Sequence, residues 1–235
     1  MRWIARAAIV CLCAAGVLYA AFELSRSRSF QVFGDIVSHG PAAKPQVALT
    51  LDDGPTRRYT AAILETLAAK GAVATFYLTG REMAEQPKLT AAIVAAGHEI
   101  GNHSYSHHRM VLMSPATVRH EIEETSRLIR QAGYDGPITF RPPHGKKLFV
   151  LPWVLRQMGI TTVMWSLEPE DKPTPTTDPE LIANRVIENA ENGSIILLHA
   201  MYSSRDATRQ ALPAIIDGLR ERGFELVTVS ELMAQ

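Results

Sequence analysis

From residue 46 onward, short apolar runs rich in β-branched and aromatic residues alternate with longer segments whose apolar positions recur at helical spacing. The runs at 47–51, 73–78, 98–101, 138–141, 161–165, 194–199 and 225–229 predict seven strands. Helices are predicted over 60–70, 88–96, 115–132 and 208–222, with a further one opening at Asp178-Pro179. Their ends are readable. Gly71, Gly97, Gly133 and Gly223 follow four of them, Ser114 and Asp178 occupy N-cap positions, and Pro179 suits the first helical position. Such alternation implies a parallel sheet covered by helices, either open and doubly wound or closed as a barrel, and seven units favour an α/β fold of the incomplete (β/α) barrel type. The unusual polar residues fall where these strands stop. Asp52 and Asp53 follow the first strand, His103 and His107 the third, Arg141 the fourth and Glu168 the fifth, while His199 ends the sixth. Parallel barrels build their sites at that end.

The chain before residue 46 reads differently. Arg2 and Arg6 precede an uncharged apolar run over 7–22, the layout of a secretory signal or an N-terminal membrane anchor, with a buried helix as the bland alternative. Tyr19-Ala20-Ala21 is only a weak cleavage match, which favours an uncleaved anchor with the arginines on the cytoplasmic side. Residues 23–44 mix Ser, Arg, Gly and Pro without period and are expected to form a linker to a domain spanning 45–235. That domain is then expected on the periplasmic or extracellular face, anchored or secreted.

Composition narrows the chemistry. With 46% apolar and 20% charged residues the chain is globular and long enough for one ordinary domain. The zero net charge conceals Arg2, Arg6, Arg26 and Arg28 against Glu23 near the start, so the remainder is slightly acidic and unsuited to nucleic acid. Cys11 and Cys13 both lie in the apolar run. The domain beyond it can form neither a disulfide nor a thiolate site, and any metal must use His, Asp or Glu.

Four segments can carry that chemistry. Asp52-Asp53-Gly54-Pro55 sets two carboxylates where an apolar strand must turn; alone it could be an ordinary turn, but the turn can bring both to one cavity. His103-Ser104-Tyr105-Ser106-His107 offers two imidazoles four apart, which on one helical turn face the same way and could share a metal with an aspartate as third ligand. Without that third ligand they would read as solvated loop histidines, and His98 and His108 are taken as structural. Arg141-Pro142-Pro143-His144-Gly145 is a stiff turn able to aim a backbone N–H, or simply a rigid loop. His199 closes the apolar run of Leu197 and Leu198 with a group suited to proton donation near neutral pH.

Taken in order, TLDDGP, HSYSH, RPPHG, WSLEPED and LLH resemble the motif series of the polysaccharide deacetylase family, the NodB-homology domain of carbohydrate esterase family four. The resemblance covers about residues 45–235. It implies a distorted (β/α) barrel holding a divalent metal, usually zinc with cobalt or manganese as substitutes, and an acetylated amino-sugar polymer or oligomer as substrate. Residue by residue, it implies Asp53, His103 and His107 as ligands, Asp52 as general base and Arg141 as the group positioning that base. His144 would offer its backbone N–H to the oxyanion and His199 would be the general acid, with Pro143 and Leu197 as substrate contacts. Two departures stand out. The fourth motif commonly reads Asp-x-x-Asp-Trp where this chain has Glu168-Pro169-Glu170-Asp171-Lys172, leaving Glu168 as a supporting carboxylate, and the third commonly has Tyr where this chain has His144.

Overall fold

The computed structural model describes residues 2–169 and 177–234. Along the chain run α1 (Arg2–Arg26), β1 (Ile36–Val37), β2 (Gln46–Asp52), α2 (Thr60–Ala69), β3 (Thr75–Leu78), α3 (Gly80–Glu85), α4 (Pro87–Ala95), β4 (Glu99–Asn102) and α5 (Pro115–Gln131). They continue as α6 (Val150–Met158), β5 (Thr162–Val163), α7 (Pro179–Asn189), β6 (Ile195–His199), α8 (Asp206–Glu221), β7 (Glu225–Val227) and α9 (Val229–Met233). The expected caps form: the Ser114 hydroxyl accepts from the Thr117 amide at the start of α5, and Asp178 accepts from Glu180 and Leu181 at the start of α7.

All ladders are parallel, in the order β4-β3-β2-β6 with β7 also on β2, and β1 beside β5. The ring closes through single residues. Phe140 bridges Asn102 on one side and Thr162 on the other, and Leu167 bridges Ile196. The result is the distorted barrel expected, with two of its staves thinned to isolated bridges.

β2 shows how the barrel sorts its side chains. Val47, Leu49 and Leu51 pack outward among the buried residues of α2, α7 and α8, whereas Ala48 packs inward with Tyr77, Val163, Trp165, Ile195 and Leu197. Period two then puts Thr50 and Asp52 on the same side as Ala48. A strand buried on both faces reads as a near-continuous apolar run, which is why 47–51, broken only by Thr50, is visible in the sequence.

Several expectations are corrected. The run at 138–141 is no strand, because Pro137 before it and Pro142-Pro143 after it remove ladder donors and leave Phe140 alone to bridge. The strand expected over 225–229 stops at Val227, where Thr228 and Glu231 make a capping box that opens α9. Part of the expected linker is structured: β1 pairs with β5, and Gln31 is buried. The apolar N-terminal segment is one helix; its window Ile9–Arg26 has mean hydropathy 1.6 and is 6% buried.

Candidate metal and catalytic site

The parallel register sets His199 beside Asp52 at the ends of neighbouring strands. After Asp52 the chain turns sharply: Asp53 and Gly54 adopt φ 75° and 79°, ahead of a cis Gly54-Pro55 peptide. This reversal lets consecutive carboxylates, which a continuing strand would point apart, meet in one place. Glu82 of α3 fixes the turn, accepting from the Gly54 amide at 2.7 Å while also holding the Thr79 and Tyr202 hydroxyls.

His103 follows β4, and its amide is held by the Leu78 carbonyl at 3.0 Å. The segment from His103 to His107 is a loop rather than the helical turn expected, with Ser104 at φ 62° and His107 at φ 58°. Glu121 of α5 explains that shape. Its carboxylate accepts from the amides of Tyr105 and Ser106 at 2.9 and 2.8 Å and from the Ser106 hydroxyl at 2.8 Å, while the Ser104 hydroxyl accepts from the His107 amide at 3.1 Å. The two imidazoles still converge, with ring centroids 4.9 Å apart.

Asp53, His103 and His107 each offer one ligand atom, all within 4.8 Å of one another. Nε2 of His107 lies 3.4 Å and Nε2 of His103 lies 3.9 Å from Asp53 Oδ1, a buried oxygen that receives no hydrogen bond from the described residues. His103 Nδ1 sits 2.8 Å from the Arg141 carbonyl, so that nitrogen carries the proton and Nε2 keeps its lone pair for the cluster. Burial pushes His103 down to about 4 and lowers His107 as well, keeping both rings neutral near neutral pH. Burial pushes Asp53 up to about 7, the response of a carboxylate deprived of solvent. Three converging acceptors, one of them an orphaned carboxylate oxygen, fit a divalent cation.

Arg141 is wholly buried beneath this cluster. Its guanidinium donates to Asp52 Oδ1 at 2.6 Å, to Thr50 Oγ1 at 2.8 Å and to the Met164 carbonyl at 3.1 Å, and lies 4.0 Å from the centre of the Tyr77 ring. With Oδ1 so held, Asp52 turns Oδ2 toward the Asp53–His103–His107 group, 3.7 Å from His103 Nε2.

A cavity of about 730 Å³ opens above these groups, and Asp52, His103, His107, His144, Leu197 and His199 all line it. His144 stands at φ 56°, with its exposed ring 4.7 Å from that of His107. Gly145 permits the turn, since a Cβ there would come within 2.9 Å of the Trp165 ring. Pro143, expected to contact substrate, is buried and absent from the cavity wall. Glu168 lines the wall, where it accepts from Trp165 Nε1 at 2.8 Å and pairs with Arg28 at 3.1 Å. Glu170, Asp171 and Lys172 lie outside the described residues. His98 and His108 stay away from the cluster, His98 against Phe76 and His108 beside the Ser106 hydroxyl.

The family model for polysaccharide deacetylase matches residues 39–163, more than half of the chain. The chain belongs to the polysaccharide deacetylase family. A peptidoglycan-N-acetylglucosamine deacetylase of Bacillus cereus is 33% identical over 187 residues, covering 80% of this chain and 87% of that relative. Among solved structures, a peptidoglycan N-acetylglucosamine deacetylase superposes with a TM-score of 0.78 at 31% identity, over 84% of this deacetylase and 92% of the other chain. A pseudoenzyme of the same family from Bacillus anthracis superposes with a TM-score of 0.75 at 30% identity, covering 86% and 69%. The fold alone therefore does not separate active from inactive members, and the side chains must.

Glu82, Glu121, Asn102 and Arg28 were missed from sequence. Thr79 and Glu82 have the spacing of a capping pair, which could have marked Glu82. Asn102 receives the Ser104 amide on its Oδ1 and donates its side-chain NH₂ to the Ile122 carbonyl, a buried role with no local signature.

Proposed function

We propose that this chain removes N-acetyl groups from amino-sugar polymers or oligomers of the peptidoglycan or chitin type outside the cytoplasm, with a divalent cation held by Asp53, His103 and His107. The observation that carries this reading is the convergence of a buried, unsatisfied carboxylate oxygen and two neutral imidazoles beside a cavity large enough for a sugar. Zinc suits a His/His/Asp set, and cobalt or manganese can occupy it. When bound, the cation supplies Lewis-acid activation of water and of the acetamide carbonyl.

The chain's own residues then divide the work. Asp52, with Oδ1 committed to Arg141, offers Oδ2 to take the proton of the attacking water. Arg141 keeps that oxygen aimed and is a positioning residue. The His144 N–H is assigned to the developing oxyanion, from a left-handed turn whose ring lines the cavity. His199, opposite Asp52 across the β2–β6 ladder, gives its proton to the departing nitrogen as the carbon–nitrogen bond breaks. The products are acetate and a free amine.

The reading takes residues 1–22 as a signal or anchor and 45–235 as the catalytic domain. An 18-residue window of α1 is apolar enough to cross a membrane, which supports an anchored domain on the outer face. Similarity to a pseudoenzyme makes a non-catalytic relative the second reading; against it, acid, base and all three ligands are present in this sequence. Acetate release should be measured on chitooligosaccharides, peptidoglycan and acetylated xylan, with and without chelator. Release from the amino-sugar substrates that chelator abolishes and zinc restores is expected. Release from xylan alone would make the enzyme a de-O-acetylase, chelator-resistant release would remove the metal, and no release from any would favour the non-catalytic reading.

A further inference from the structure

Large apolar side chains exposed beyond α1 are not scattered over the domain. Among the described residues there are seven, and Phe30, Val32, Leu112, Phe149 and Trp153 are five of them. All five lie around the place where α1 meets the domain. Phe30 donates its amide to Ser27 Oγ at 3.1 Å and shares a groove with Leu24 and Arg26 of the last turn of α1, and Val32 follows two residues on. The Lys147 amide donates to the Ser25 carbonyl at 2.9 Å, and Lys146 sits 5.0 Å over the Phe22 ring. Phe149, two residues further along, is therefore within about 7 Å of Lys147. Trp153 stands one turn on from Phe149 along the same face of α6, its amide on the Phe149 carbonyl at 3.1 Å. Leu112, 90% exposed, lies between Met110 and Met113, which pack with Leu151 and Val154 and so set it beside α6.

α1 supplies the reason for this rim. Its window Ile9–Arg26 is apolar enough to cross a membrane, and the last turn of that window carries Phe22 and Ser25, the residues packed on the domain. The buried Lys147 ammonium, hydrogen-bonded to the Ser27 carbonyl, fastens the next residues as well. No slack chain separates the end of the window from the barrel, so a bilayer entered by α1 brings its surface against the residues around that turn. The interfacial layer on each side of a bilayer is about 5–7 Å deep, by the difference between its full and hydrocarbon thicknesses. Trp, Phe and Leu side chains are what such a layer takes up, whereas in water the same five form an apolar patch without a partner in the fold.

We propose that the rim of Phe30, Val32, Leu112, Phe149 and Trp153 docks on the interfacial layer of the membrane that α1 enters. This rests on the anchor reading of α1 and goes beyond it, because the barrel then lies on the bilayer instead of swinging on a tether. Arg26 and Lys146, beside the rim, also line the cavity, so the mouth opens at the lipid surface and takes glycan lying against it. The occupant is the lipid interface itself. Since the five side chains are uncharged, docking is expected on zwitterionic phosphatidylcholine and should change little with salt.

The test uses the full-length chain in phosphatidylcholine nanodiscs, with and without lipid carrying a nitroxide quencher on its headgroup. Cys11→Ser and Cys13→Ser remove the native thiols, and a fluorophore is attached through Leu112→Cys, Phe149→Cys or Trp153→Cys. Ala96→Cys is the control, an exposed site just before β4 and thus at the end of the barrel away from the mouth. Circular dichroism checks that each variant is folded. Loss of most fluorescence at 112, 149 and 153 with none at 96, at low and high salt alike, is expected. No loss at the three rim positions, or an equal loss at all four, would overturn the proposal. Should alkaline carbonate strip the wild type from phosphatidylcholine vesicles, α1 does not span and the anchor reading fails; flotation with the same vesicles at neutral pH then decides the rim. Flotation that Phe149→Ser combined with Trp153→Ser abolishes sustains it, whereas flotation kept by that variant, or absent from the wild type, refutes it.

Discussion

Glu121 touches none of the proposed ligands, yet its loss should loosen the metal. Its carboxylate collects the Tyr105 and Ser106 amides and the Ser106 hydroxyl, which together impose the loop that brings His107 back toward Asp53. A single hydrogen bond to a charged group contributes about 1.5–3 kcal/mol. Three bonds sharing one carboxylate do not add fully, so about 2–4 kcal/mol of loop ordering is a reasonable total. Against that ordering stand two non-glycine residues in the left-handed region, Ser104 and His107, whose relaxation favours an open loop. Glu121→Ala should thus weaken zinc binding by roughly 30- to 700-fold, at about 1.4 kcal/mol per decade. Glu121→Gln keeps an acceptor oxygen for the amides and should fall within about tenfold of wild type. Competition with a chromophoric chelator reads the affinity, and circular dichroism with thermal unfolding checks that each variant is folded. A folded Glu121→Ala protein that binds zinc as tightly as wild type would refute the claim that this carboxylate shapes the site.

Asp52→Asn should keep its metal while kcat falls by about 10²–10⁴, the range for loss of a general base; Asp53→Asn should lose metal affinity and regain some rate in excess zinc. Elemental analysis beside kinetics separates them, and the opposite pattern would exchange the two roles. Burial holds His98 at about 4 against an ordinary 6.5, so between those values the unfolded chain takes up a proton that the folded chain refuses. The stability so contributed is complete above pH 6.5 and is lost as pH falls toward 4, an upper value near 3 kcal/mol that solvent access reduces to about 2. His98→Phe, which keeps the packing on Phe76, should flatten the decline of Tm over that window; a curve parallel to wild type rejects the attribution. Protease added to intact spheroplasts should digest the domain, and protection until lysis would reverse the proposed orientation.

The sequence made the barrel visible where both faces of a strand are buried, as in β2 and β6, because such strands are near-continuous apolar runs. It misled at 138–141, where composition suits a strand but flanking prolines forbid a ladder, and at 36–37, where two apolar residues amid polar ones pair only because β5 offers an edge. The convergence of Asp53, His103 and His107 was legible for a related reason: they follow strand ends, and strand ends in a parallel barrel share a mouth. The supports were not. Glu121 looks like any acid in the EIEE stretch of an amphipathic helix, and only the tertiary approach of the loop at 104–107 gives it two amides to hold. Arg28 was similarly hidden, in a segment whose composition reads as a tether but whose position is fixed by Lys147, Trp165 and Glu168.

Arg141 ties the two halves of the chemistry together in a way that neither half alone requires. Its carbonyl fixes the tautomer of His103, and thereby the lone pair offered to the metal, while its guanidinium fixes Asp52. Both depend on one backbone position, held by the Arg141 amide on the Asn102 carbonyl at 2.9 Å. A side-chain change such as Arg141→Met should then disturb Asp52 while leaving the carbonyl, and metal affinity, largely in place. The cost to folding is limited because the two buried charges leave unevenly: Asp52 loses its guanidinium but remains beside the cationic site that metal would create, whereas removing Asp52 would strand an arginine with no exposure to water. This asymmetry predicts that Arg141→Met combined with Asp52→Asn is more stable than Asp52→Asn alone, measured by denaturant midpoint. A double variant less stable than Asp52→Asn would mean that the guanidinium's bonds to Thr50 and Met164, rather than its pairing with Asp52, hold the barrel interior together.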